Sequence, residues 1–247
     1  MKKLVIKNLH KIFNIENKKV KALNNVDLSI GDGEIVTIVG RSGCGKTTLL
    51  RILCGLEQKT SGDMEIISKD NNKSNKIGIV FQEPRLMPWL TVEENMAFSL
   101  IKNKNKDEVR TKVNKYLHMF GLENFRNAYP AQISGGMAQR VSLGRTMCYD
   151  PEIILMDEPL GALDAFNRRK LQNEFINIFI KNDKTIIFVT HDVEEAVYIG
   201  QRVIVLENGS VVNDIPIPLD YYRDVTSIRF VKIKEKILNN FRGNNIG

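Results

Sequence analysis

Lys46 and Thr47 close the run Gly40-Arg41-Ser42-Gly43-Cys44-Gly45-Lys46-Thr47, which follows the spacing G-x-x-x-x-G-K-[ST]. Glycines at 40, 43 and 45 let successive backbone N–H groups turn inward on phosphate oxygens, and a helix starting just behind them points its positive end at the same anion. The Lys46 ammonium is placed to reach β- and γ-phosphates, and the Thr47 hydroxyl suits Mg2+. Residues 40–48, Thr48 included, are therefore expected to bind a nucleotide; a Gly-rich turn of purely structural use is the alternative. A second carboxylate must help hold the metal. Ile153-Ile154-Leu155-Met156-Asp157-Glu158 supplies it, four apolar residues reading as a buried strand that delivers Asp157 at its end. Glu158 can then polarise a water for attack on the γ-phosphate, which makes the chain a hydrolase. The plain alternative for Glu158 is a charge at a loop edge. Cys44 lies near Lys46 and a helix start, a setting that favours thiolate and reaction with a bulky thiol reagent, against the alternative of a buried, inert thiol.

These residues need elements to position them. Residues 34–39 form a short β-branched run that reads as a buried strand, feeding the glycine turn and then a helix over 46–54 with Leu49, Leu50 and Leu53 at helical spacing. Gly55 supplies its stop. Strands are expected at 64–67 and 77–81, joined by a polar loop over 68–76. From 83 to 151 the pattern is helical with no convincing strand. Thr91-Val92-Glu93-Glu94 forms a capping box, and further helices are expected over 107–120 and 135–149. Strands at 153–156 and 185–189 flank a helix over 164–180, and Asp192 caps the next helix. Residues 202–206 and 211–214 form a hairpin around Asn208-Gly209, and the tail ends in an amphipathic helix near 228–238.

The 247 residues carry 36 Lys+Arg against 29 Asp+Glu, 43% hydrophobic and 26% charged, the composition of an ordinary globular protein with a sizeable core. The formal charge of +7 comes from scattered lysines without interleaved aromatics, which argues against nucleic acid as a partner. No apolar run approaches the ~18 residues of a membrane-spanning helix. The opening has no signal-peptide core, and three cysteines (Cys44, Cys54, Cys148) form no C-x-x-C pair. A reduced, intracellular setting is expected.

Between the two phosphate motifs stands Ile133-Ser134-Gly135-Gly136-Met137-Ala138-Gln139-Arg140, opening a helix. It resembles the signature sequence of the ATP-binding-cassette (ABC) family, and the order of everything around it agrees. Gln82 stands where that family has its Q-loop glutamine, Leu160-Gly161-Ala162-Leu163-Asp164 is similar to its D-loop, and His191 to its switch histidine. The resemblance runs from about residue 4 to residue 212. It implies an α/β fold of the P-loop NTPase type: a RecA-like core with an N-terminal antiparallel β-lobe (1–82 and 152–222), an inserted helical subdomain (83–151) and a C-terminal helical tail (223–247). It implies ATP and Mg2+, with Gln82 joining Thr47 and Asp157 at the metal, and His191 bonding the γ-phosphate or the attacking water. It also implies a second copy of the chain, whose Ser134, Gly135, Gly136 and Met137 grip the γ-phosphate bound by the first. Met137 replaces a frequent glutamine and leaves the Ser-Gly-Gly donors intact. Phe13 falls where the family stacks an aromatic on adenine, core packing being the alternative, and Asp164 reads both as a helix N-cap and as a contact to the second copy.

With no spanning segment, the resemblance implies docking on separate permease subunits through Glu83-Pro84-Arg85-Leu86-Met87-Pro88-Trp89-Leu90-Thr91. Trp89 is the sole tryptophan and a natural interface anchor; burial inside the protein is its alternative. This stretch and the S-G-G-M motif look most like the cassettes of nitrate, sulfonate and taurine importers. In those systems an extracytoplasmic solute-binding protein feeds the permease, and the cassette lies at the cytoplasmic face of the membrane. An exporter cassette or a non-transport ABC protein is the alternative.

Overall fold

The computed structural model describes residues 2–16, 18–67, 76–103, 105–161, 164–182 and 184–242. Its packing divides the chain into two units, residues 1–75 with 172–247, and residues 76–171. In the first unit, β3 (Ile35–Val39) is buried along its whole length. It runs parallel to β7 (Thr185–Thr190), with Ile35 opposite Ile186, and to β8 (Arg202–Glu207), with Val36 opposite Arg202. A strand with parallel neighbours on both edges and both faces covered has no polar side, hence an unbroken apolar run rather than alternation. Thr37 is the exception, and its buried hydroxyl bonds the carbonyls of Ala196 and Arg202 at 3.2 and 3.3 Å. β9 (Ser210–Pro216) returns antiparallel to β8 through Asn208 and Gly209, whose φ values of 48° and 78° are those of the expected two-residue hairpin turn.

The same unit holds a three-stranded antiparallel sheet in the order β2 (Lys18–Gly31), β1 (Lys2–Ile15), β4 (Ser61–Ile66). The antiparallel lobe implied by the family resemblance is this sheet. Its pairing slips at four points between β1 and β2, and Asn8 and Asn25 take left-handed backbones near the slips. Behind the sheets, α1 (Lys46–Leu53) follows β3 directly, and α6 (Val193–Ile199) starts where Asp192 accepts the N–H groups of Glu194 and Glu195 at 2.8 and 3.2 Å. α7 (Ile228–Arg242) buries Phe230 and Ile237 and is fastened by Lys234 to Glu194 at 2.7 Å. In sequence, α5 (Ala165–Asn182) crosses from the second unit into the first.

In the second unit, β5 (Ile77–Val80) pairs in parallel with β6 (Ile153–Asp157), Ile77 opposite Ile153 and Val80 opposite Met156. Between them in sequence come α2 (Val92–Ala97), α3 (Lys106–Met119) and α4 (Gly135–Tyr149), with no strand among the described residues from 83 to 151. Met96, Val113, Leu117, Val141, Leu143 and Met147 form their core. Gly144 permits the close crossing of α2 and α4, since a Cβ there would stand 2.4 Å from the Met96 methyl carbon. The capping box is present, Thr91 accepting from the Glu94 N–H at 3.3 Å and Glu94 accepting from the Thr91 N–H at 2.8 Å. Most of the loop expected at 68–76 lies outside the described residues.

Candidate functional site

The glycine run bridges β3 and α1, as its chemistry requires. Gly43 and Gly45 have φ values of 80° and 107°, which admit side chains only with strain. Gly45 is hemmed in as well: a Cβ would stand 2.4 Å from the carbonyl oxygen of Ala22 on β2. At Gly40 a Cβ would meet the Leu206 carbonyl oxygen at 2.3 Å and the Cys44 sulfur at 2.4 Å. The β8–β9 turn closes over this loop, with the Gly209 N–H donating to the Cys44 carbonyl at 3.1 Å and the Asn24 N–H to the Gly209 carbonyl at 2.8 Å. Lys46 is only 5% exposed, and its ammonium donates to the carbonyls of Gly40 at 2.8 Å and Arg41 at 3.1 Å. A buried cation must be satisfied, and these carbonyls hold it over the loop. Arg41, Ser42, Gly43 and Thr47 face solvent, with Thr48 half-buried. Arg41 also reaches out of the loop to donate to the Phe241 carbonyl at 2.5 Å.

Cys44 overturns one expectation. It is 7% exposed, and burial pushes its thiol above the ordinary cysteine range, outweighing the nearby Lys46 ammonium that pulls it down. The structure favours the buried alternative, in which burial disfavours the thiolate.

His191 follows the last residue of β7 and is exposed. Phe13 sits half-buried on β1 opposite Val20, outside the core. The Lys11 ammonium lies 4.6 Å from its ring centroid, held there by Glu57 at 2.7 Å. His10 and His118 are local surface residues, His10 pairing with Asn8 and His118 with Glu123.

In the second unit, Asp157 ends β6 and Glu158 comes next with a left-handed φ of 46°. Non-glycine residues held there mark places where surrounding structure fixes the backbone. The turn is closed by the Gly161 N–H donating to the Glu158 carbonyl at 3.1 Å. Gln82 lies just past β5 and is exposed, and its amide nitrogen would stand 3.2 Å from a Cβ placed on Gly161. The structure thus brings Gln82 and the 158–161 turn together. Ser134 is the N-cap of α4, its hydroxyl accepting from the Met137 N–H at 3.3 Å. Ser134 and Gly135 are exposed, Gly136 and Met137 half-exposed. Asp164 precedes α5 and is exposed; Ala162 and Leu163 of the D-loop run lie outside the described residues.

The stretch from Glu83 to Thr91 is built by side chains with no mark in the sequence. Asn95, fully buried, donates to the carbonyls of Met87, Leu90 and Thr91 at 3.0–3.1 Å and accepts from the Met87 N–H at 2.8 Å. Arg145 donates to the carbonyls of Pro84 and Arg85, each at 3.0 Å. An amide on a helix has no periodic signature, so nothing short of the fold reveals such a role. Trp89 is 71% exposed, which removes the buried alternative.

A protein-family model described as ABC transporter matches residues 23–161. The chain is similar to an uncharacterized ABC transporter ATP-binding protein of Methanocaldococcus jannaschii, 48% identical over 241 residues, covering 96% of this chain and 90% of that protein. It is also similar to the aliphatic sulfonates import ATP-binding protein SsuB of Bacillus subtilis, 42% identical over 234 residues and covering 94% of this chain and 91% of the relative. Among solved structures, a dimeric post-hydrolysis ATP-binding cassette bound to ADP and Pi matches with a TM-score of 0.76 and 34% identity, over 88% of this chain and all of that one.

The thiol assignment is checked by brief exposure to a maleimide at pH 7 followed by peptide mass spectrometry. A raised pKa keeps Cys44 protonated at that pH, and its thiolate grows in only as the pH climbs past the usual cysteine range, so the first modification should fall on the half-buried Cys54. Cys44 labelled ahead of Cys54 would contradict this.

Proposed function

We propose that this chain, which belongs to the ABC transporter family and is one of its ATPases, drives uptake of a small solute of the nitrate, sulfonate and taurine class through separate membrane subunits. The sulfonate-import role named for several relatives at about 40% identity supports that class. Each ATP is taken by the 40–48 loop, with Lys46 and the loop amides on its phosphates and Phe13 against the adenine ring. Thr47, Asp157 and Gln82 offer hydroxyl, carboxylate and amide oxygens, the hard donor set that Mg2+ takes, and the ion neutralises charge on the phosphates when bound. Glu158 polarises the attacking water, and His191 bonds that water or the γ-phosphate. A second copy completes the arrangement by presenting Ser134, Gly135, Gly136 and Met137 at the start of its α4, where hydroxyl and backbone donors suit an anion. Asp164 contacts that copy. The similarity to a dimeric cassette holding ADP and Pi supports the pairing.

The observation that carries the link to membrane subunits is the exposed Trp89 together with the groove beside it. Leu90 opens this groove, of about 510 Å³, between α2 and α3. Phe98, Ile101 and Val113 are among its apolar lining, and Glu93, Lys106 and Arg110 among its charged lining. An amphipathic helix of a permease, apolar on one face with charged residues at its edges, is the occupant this mixed apolar and charged lining suits. No described helix is long and apolar enough to cross a membrane. The cassette is then held at the cytoplasmic face by the permease, to which an extracytoplasmic binding protein delivers the solute.

Two experiments test this. Glu158→Gln removes a negative charge facing the γ-phosphate while keeping the side chain's shape, so Mg-ATP binding should hold or improve while hydrolysis nearly stops. Stalled ATP should then accumulate dimers by light scattering, with ATP and not with ADP, and Ser134→Arg should abolish them. A Glu158→Gln protein that turns over at the wild-type rate, or stays monomeric in saturating ATP, sinks the assignment. For docking, Trp89→Ala should cut co-purification with a co-expressed permease at least tenfold; unchanged recovery would move the docking surface elsewhere.

A further inference from the structure

Gln139 lies one turn into α4, five residues after Ser134, and is 2% exposed. Its side-chain nitrogen donates toward three backbone carbonyls: Phe81 and Gln82 at 3.2 Å each, and Pro159 at a shorter distance. These acceptors fix the orientation of the amide, since the flipped form would set its oxygen against three carbonyl oxygens. Two of the carbonyls belong to Gln82 and its predecessor. The third belongs to Pro159, directly after Glu158, so the bond holds the Pro159–Leu160 peptide, one residue beyond the left-handed Glu158 backbone. One buried side chain thereby joins the helix opening on Ser134 to the backbone that carries Gln82 and the backbone that carries Glu158.

The arrangement is unsaturated in both directions. The amide has two hydrogens for three carbonyls, and its Oε1 is buried without a hydrogen-bond partner among the described residues. A small shift of α4 along its axis can therefore exchange which carbonyls are bonded rather than break a bond outright. A rigid helix of fifteen residues transmits such a shift from its N-terminus to Gln139 with little loss.

We propose that Gln139 is a positioning residue for hydrolysis, tying the Ser134 end of α4 to the peptides on either side of Gln82 and to the backbone just past Glu158. A γ-phosphate met by the start of α4 then aligns the carboxylate that polarises water on the nucleotide of its own chain. This rests on the proposed role of Glu158 as the group that polarises water.

The test uses the full chain with two substitutions. Gln139→Met keeps length and volume without a polar atom; Gln139→Glu keeps shape and puts an oxygen where the donor was, so failure of one to fold leaves the other. Both should bind fluorescent ATP within twofold of wild type and keep KM within twofold, while kcat falls at least tenfold. Thr146→Val, on α4 with its hydroxyl bonded to the carbonyls of Ser142 and Ile79, should lower the melting temperature and leave kcat unchanged. In a Glu158→Gln background, adding Gln139→Met should lower the residual rate less than twofold, since the amide acts through Glu158. Wild-type kcat in both Gln139 variants, or a loss of nucleotide affinity matching the loss of rate, overturns the coupling while Glu158→Gln remains inactive. Wild-type turnover in Glu158→Gln itself overturns the catalytic reading and this proposal together.

Discussion

The first unit depends on a backbone approach that no side chain can share. Between β3 and α1 the chain passes so near Ala22 and Leu206 that Gly45 and Gly40 have no room for a Cβ, and the Lys46 ammonium folds back onto the carbonyls of Gly40 and Arg41. Three separate elements meet there: β2 from the antiparallel sheet, the β8–β9 turn, and the start of α1. The loop is thus held from outside before any phosphate reaches it. This is the preorganisation that an anion site needs if binding is not to be spent ordering it. The burial of Cys44 has its origin in the same crowding, because its sulfur fills the space beside Gly40.

The second unit answers a different problem, the disposal of carbonyl groups in segments without regular structure. Between β5 and α2 the chain has no ladder to bond to, and side chains from the helices serve instead. Asn95 takes three carbonyls there and Arg145 and Gln139 two each, Gln139 also reaching Pro159 beyond β6. Buried backbone polar groups must find partners, and drawing them from α2 and α4 makes the loop move with the helices.

Much of this was legible in the residues. Buried parallel strands such as β3 and β7 announce themselves as short β-branched runs, and Thr91, Asp192 and Asn208-Gly209 declare their cap and turn chemistry locally. The two fourteen-residue strands β1 and β2 did not, because their four register slips break the alternation that marks a strand. The order of the phosphate motifs is written in the chain, whereas the setting of Cys44 depends on the β8–β9 turn, whose Gly209 N–H bonds its carbonyl from far away in sequence. The same holds for Arg145 and Gln139, whose partners are distant in sequence. Trp89 could be read either way until its exposure was known.

Within one chain, Ser134 and Gly135 stand exposed at the start of a helix, where hydroxyl and backbone donors face outward. In the proposed pairing they complete the nucleotide site of a second copy, so one chain alone is an incomplete ATPase. The direct measurement is the initial hydrolysis rate of the isolated wild-type protein at saturating Mg-ATP across a wide range of protein concentration. The rate is predicted to rise with the square of concentration while the protein is mostly monomeric, and to become linear once dimers dominate. A rate strictly proportional to concentration down to levels where light scattering finds only monomer would contradict the shared site.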